Sequence, residues 1–162
     1  VILSVSTKSN QQIAPSPAVS ILGNNFQIYQ NEEYGFSLEH PKNYKPEEFK
    51  EKDGAKTIVF QGGSKEGFQI FIVPFDEASI TKEKILRDVP GAVLKDAQEI
   101  LIGTAAGQNI PAILFWSEDP LIGRTREVWC GHNGYLYEIT AYEKEDELLS
   151  GIMSTWSFIN SL

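Results

Sequence analysis

Apolar residues alternate with polar ones along several short runs, and that period of two predicts strands before anything else about the chain is known. FQIYQ at 26–30 alternates over a short stretch. In Tyr34–Glu39, Tyr34, Phe36 and Leu38 fall on one side and Gly35, Ser37 and Glu39 on the other, and Pro41 ends the run by removing a donor. Residues 42–55 are a charged stretch, read as a loop with one helical turn starting at Pro46. KTIVFQG (56–62) and GFQIFIVP (67–74) read as a hairpin joined by the glycine-rich turn 62–67. The second of these strands is apolar on both sides, which predicts a sheet covered on both faces.

The spacing then changes. Residues 79–89 carry Ile85, Leu86 and Val89 as a narrow stripe behind Ser79 or Thr81 as N-cap, and Pro90-Gly91 stops the helix. Strands follow at 97–103 and 112–119, with 103–109 as the turn between them. TREVWCGH (125–132) and YLYEITAY (135–142) flank Asn133-Gly134, the strongest short hairpin signal in the chain. A last helix spans about 144–155. Acidic residues crowd its start, where the helix dipole favours them, and Leu148, Leu149, Ile152, Met153 and Trp156 form its core-facing stripe. Residues 157–159 dock the end of the chain. The short connections at the C-terminal end leave no room for crossover helices, so the sheet is expected to be mainly antiparallel with helices against it.

Two segments resemble a known family. NEEYGFSLEHPKNY is similar to the start of PsbP-like domains, where an extended segment precedes Tyr-Gly-Phe-Ser and a proline. ILIGTAAGQNIPAILFW, followed by TREVWCGHNGYLYEITAYEKEDELLSGIMSTWSFI, resembles the remainder, over roughly residues 26–160. The resemblance implies an α+β fold, an α/β/α sandwich around a central, mainly antiparallel sheet. That fold is shared by photosystem-associated extrinsic subunits, a small Ran-binding nuclear transport protein, and bacterial exported proteins of unknown role. The last group is the most similar. It implies an extracytoplasmic, exported or membrane-anchored location and transfers no activity, because no photosystem-docking or GTPase-binding motif is visible.

Composition narrows the function classes. The 162 residues fit one domain, expected over 26–162, with 1–25 as a flexible N-terminal tail or linker rich in Ser, Asn, Gln and Pro. Ile13, Val19, Ile21 and Leu22 are the tail positions suited to docking. The apolar opening Val1-Ile2-Leu3 reads either as a frayed tip or as the stub of an export or anchor segment, which would tether the domain to a membrane. A net charge of −8 argues against nucleic acid as a partner, leaving a protein or small ligand, and no cofactor motif is present. With one cysteine, Cys130, no intramolecular disulfide can form.

Candidate chemistry is sparse. Cys130 and His132 project from one strand face and are both metal-ligand types, but His40 and scattered carboxylates are all that remain to complete a site. Strand rise separates the pair by roughly 6–7 Å, too far for a direct hydrogen bond, so a buried thiol beside a turn histidine is the plainer reading. The glycine stretches 62–67 and 103–109 match no phosphate-loop pattern. Glu143–Glu147 lacks calcium-loop spacing and reads as a solvated helix start. Trp116, Trp129, Tyr135 and Tyr137 are the candidate binding surface, with core packing as the competing role. The function expected is therefore a non-catalytic exported binding or assembly module. The alternative is a hydrolase using scattered acids with His132 or His40.

Overall fold

A computed structural model of the chain describes residues 19–104, 107 and 109–159. The strands are β1 (Phe26–Asn31), β2 (Phe36–Pro41), β3 (Lys45–Lys50), β4 (Lys56–Gln61), β5 (Gly67–Pro74), β6 (Ala92–Thr104), β7 (Asn109–Asp119), β8 (Gly123–His132), β9 (Tyr135–Tyr142) and β10 (Ser157–Phe158). Helix α1 (Lys82–Asp88) lies between β5 and β6, and α2 (Asp146–Thr155) between β9 and β10. All ten strands form one sheet, in the order β1-β2-β10-β6-β7-β8-β9-β5-β4-β3. Every pairing is antiparallel except β10 with β6. Among the described residues no helix is long and apolar enough to cross a membrane.

The sheet curls until its outermost strands meet through side chains. The Tyr29 hydroxyl of β1 donates to Glu48 Oε1 of β3 at 2.5 Å, and the Tyr29 ring stands edge-on to Phe60 of β4 at 5.1 Å. Lys56, almost fully buried, donates to both Glu33 and Glu48 and lies over the Tyr34 ring. Strand alternation sorts side chains onto two faces. Tyr137, Ile139, Val128 and Cys130 enter the inner core, which α2 closes with Leu149, Ile152 and Met153. Leu136, Trp129 and Phe115 face the other way and pack with Ile85 of α1. The helices have seven and ten residues, so the body is a curled sheet with one short helix against each face.

The expected mixed class, mainly antiparallel sheet and hairpins are present. At the Asn133-Gly134 turn both residues have positive φ (48° and 79°), which two-residue hairpins require. Thr81 caps α1, its Oγ1 accepting from the Lys84 amide at 3.1 Å. Three expectations need correction. Residues 45–50 are a strand rather than part of a charged loop with a helical turn at Pro46; β3 pairs with β4 throughout, and every one of its residues is exposed. An edge strand that buries nothing carries no apolar alternation, and a proline is tolerated there. β6 begins at Ala92, five residues before the expected strand, because its register shifts between Val93 and Gln98 and the irregularity masks the period. The acidic start of the last helix is not wholly solvated either. Glu145 is buried, and its Oε2 accepts from the Tyr44 hydroxyl at 2.9 Å.

Residues 20–22 are tied to β2 by one carboxylate. Glu39 accepts from the Ser20 hydroxyl at 2.6 Å, the Ile21 amide at 2.5 Å and the Leu22 amide at 2.9 Å. Burial opposes its charge, but these donors prevail and hold the carboxyl below its ordinary value. Because the folded-state pKa is lowered, the clasp is complete above the ordinary value and is lost as pH falls through the lowered one. Val19 and Ile21 still point to solvent. Replacing Glu39 by Gln should cost on the order of 1.5–3 kcal/mol, the range for hydrogen bonds to a charged group. It should also abolish the hydrogen-exchange protection of the Ile21 and Leu22 amides. Retained protection would show that the segment is held by something else.

Candidate functional site

Cys130 and His132 share the inner side of β8, as alternation requires, but packing gives them separate environments. Cys130 is fully buried in the core, and desolvation pushes its thiol up to about 12. The His132 ring lies against Phe158, with centroids 4.1 Å apart, and partial burial lowers its pKa, which favours the neutral imidazole. His40 sits almost without exposure between Phe60 and Tyr29, where burial lowers its pKa, and its Nδ1 meets the Pro41 carbonyl at 2.9 Å. Among the described residues, no group of three or more His, Cys, Asp or Glu is placed to hold a metal ion. Cys130 should therefore resist a thiol-specific disulfide reagent in the native state and react stoichiometrically once unfolded. Fast labelling of the folded protein would contradict this placement.

The four aromatic residues read as a surface do not form one. β7–β8 register sets Trp116 opposite Arg126 and Trp129 opposite Ile113, which puts the two tryptophans on opposite faces. Trp129 is fully buried under α1 and edge-on to Phe115 at 5.8 Å. Tyr137 is also fully buried, its hydroxyl donating to the Tyr34 carbonyl at 3.2 Å. Trp116 is half-buried beneath the guanidinium groups of Arg124 and Arg126, 4.2 and 4.5 Å from the ring centroid. Both arginines are already matched. Arg124 pairs with Glu118 and Glu143, and Arg126 Nε lies 3.1 Å from Asp146 Oδ1 in an ion pair without good hydrogen-bond alignment. Tyr135, edge-on to Tyr34, remains as a half-buried residue at an opening.

That opening is a pocket of about 470 Å³ where the β8–β9 turn meets the loop before α1. Phe75, Ile80, Pro111 and Ile113 make its walls apolar, and His132 and Tyr135 stand at the turn side. Glu77 and Glu99 add carboxylates. Gly131 forms part of the same wall, where a Cβ would only touch the Phe75 ring, at 3.4 Å. The pocket can enclose a small apolar group and offer it a neutral imidazole and a phenol. A second opening, a groove of about 540 Å³, runs between β6 and α2.

Two acids that the pattern did not single out have carboxyl groups raised by burial. On the outer face Glu127 is buried and accepts from the Thr125 and Thr140 hydroxyls at 2.7 Å each. Desolvation outweighs these bonds and pushes its carboxyl up to about 6. Glu138, on neighbouring β9 and facing α1, is pushed up to about 7, first by desolvation and then by Asp88 and Glu127, with Lys84 opposing. Their signal in the sequence was a carboxylate at an outer-face position of an otherwise apolar run.

A curled, mainly antiparallel sheet with one short helix against each face is the architecture of a PsbP-like fold. No protein-family model and no curated protein sequence matches the chain. Among solved structures it is similar to cyanobacterial PsbP (CyanoP) from Synechocystis sp. PCC 6803, with a TM-score of 0.57 at 14% identity, covering 90% of this chain and 99% of that one. At that identity the likeness carries the fold alone.

Proposed function

We propose that the chain is a non-catalytic, extracytoplasmic binding or assembly module, with residues 26–162 as a PsbP-like α/β/α domain carried on a tail or linker of residues 1–25. The observation that carries this reading is the separation of reactive groups from openings. The one thiol is sealed in the core, His40 is enclosed by aromatic rings, and His132 alone of the three reaches a pocket. His132 rests on Phe158, and Cys130, the nucleophile two positions away, turns into the core. A hydrolase needs a base within hydrogen-bond reach of a nucleophile or of an oriented water. A binding module needs an accessible, apolar-walled recess with a few polar groups, and the pocket beside Tyr135 is of that kind.

The test is turnover of ester, peptide and phosphoester substrates by the purified chain and by its His132→Ala variant. The reading expects no difference between the two; turnover lost in the variant would restore the hydrolase alternative. Location is tested by fractionating the native cells. The chain should separate with envelope or secreted proteins, and recovery with cytosolic markers would overturn the exported assignment.

A further inference from the structure

β6 is the longest strand, with 13 residues, and β7 pairs along one of its edges. On the other edge β10 pairs only with Gly103 and Thr104. Among the described residues no strand pairs with 92–102 on that side. The gap arises because β10 has only two residues, and β2, which flanks it from the far side, likewise meets it only at Phe36 and Ser37. Beyond those residues β2 is met by α2, with the Glu39 amide donating to Thr155 Oγ1 at 3.0 Å. The groove of about 540 Å³ therefore lies directly beside an open main-chain edge. Ile100, Ile102, Leu114 and Val128 line it on the sheet side, and Leu149 and Met153 on the α2 side. Leu101, on the same edge, is 63% exposed.

We infer that this edge takes an extended, basic segment of a partner polypeptide, which adds as a strand to 98–102 of β6 and sends alternate apolar side chains into the groove under α2. The inference rests on the binding-module reading and names its partner chemistry. The backbone specifies a strand, because unpaired N–H and C=O groups in a row are matched by another extended main chain. Charge specifies a basic one. Asp146 and Glu147 line the slot against Arg126 alone, and Arg126 is already paired with Asp146. Five residues of strand span about 17 Å at ~3.4 Å each, which places two or three side chains inward. The irregular register between Val93 and Gln98, with Lys95 and Asp96 exposed beside it, blunts the first half of the strand against indiscriminate pairing.

The experiment titrates the isotope-labelled full chain with three capped octapeptides and follows its amide resonances. One alternates Val and Lys, one alternates Val and Glu, and the third is the Val/Lys peptide N-methylated at every residue. Shifts should concentrate at 98–102 and along α2 for the Val/Lys peptide. Binding should be roughly tenfold weaker for the Val/Glu peptide, from charge repulsion. It should be lost on N-methylation, which keeps the side chains and removes the main-chain donors. Ser150→Trp, an exposed helix position lining the groove, should abolish binding while leaving the rest of the spectrum intact. Equal binding of the N-methylated peptide would overturn strand addition. Shifts confined to 75–80 and 131–135 would overturn the β6 site while leaving the binding-module reading standing, and no shifts with any peptide would overturn the inference. A dimer in sedimentation that Ser150→Trp dissolves would overturn the partner assignment in favour of a second copy of this chain.

Discussion

Trp156→Ala should remove roughly 3–5 kcal/mol, the range for truncating a large buried aromatic, and leave the protein close to unfolding. Trp156 stacks on Phe36 with centroids 4.5 Å apart and planes within 5°, and stands edge-on to Tyr137 and Phe158 at 6.0 and 5.7 Å. It joins α2 to β10 and so links the last segment of the chain to β2 near its start. Collapse around the missing ring is restricted, because these partners are themselves buried and fixed in the sheet. Urea denaturation of the variant should show the loss as a lower midpoint with an unchanged slope. Leu121→Ala, at a side chain 94% exposed, is the control and should stay within about 0.5 kcal/mol. A change below about 1.5 kcal/mol at Trp156 would mean that its ring is not in the core.

The second large effect is a gain. Glu138→Gln should stabilise the protein at pH 8 by on the order of 2–3 kcal/mol and make little difference at pH 4.5. The carboxyl is raised from 4.5 to about 7 in the fold, and each tenfold change in proton affinity corresponds to about 1.4 kcal/mol. A raised folded-state pKa means that the native state holds the proton more tightly than the unfolded chain. Its stabilising contribution is complete below 4.5 and is lost as pH rises through about 7. Glu127 acts in the same sense, between 4.5 and about 6. The lowered pKa values of His40 and His132 act oppositely, their stability complete above the ordinary histidine value and lost as pH falls through the lowered ones, so the wild-type profile alone is a poor guide. The difference between wild type and variant isolates Glu138 from them. It includes Lys84 and Asp88 of α1, which face the carboxyl and are paired with each other at 3.0 Å. A stability difference that is the same at pH 4.5 and pH 8 would show that Glu138 titrates as an ordinary surface acid.

What the sequence disclosed follows the range over which its signals act. Alternation and the Asn133-Gly134 turn are local, so the β8–β9 hairpin was readable, along with the common facing of Cys130 and His132. β3 was not readable, because a strand exposed on all its residues leaves no apolar trace. The faces of Trp116 and Trp129 depend on the β7–β8 register, which the connection after Asp119 sets by its length, and one residue more or less would bring them onto the same face. The Glu39 clasp and the Tyr44–Glu145 hydrogen bond join residues far apart in the chain and have no local signature. The same holds for β10, whose place between β2 and β6 is decided by packing of α2 rather than by its own two residues.

That placement supports the rest, since the groove, the open edge of β6 and the burial of Trp156 all follow from it. It is tested most directly by nuclear Overhauser contacts of Ser157 in the folded protein. Short-range contacts to both Ser37 on one side and Gly103 on the other are the expected result. Contacts to only one of them, or to neither, would mean that the last strand does not bridge the sheet.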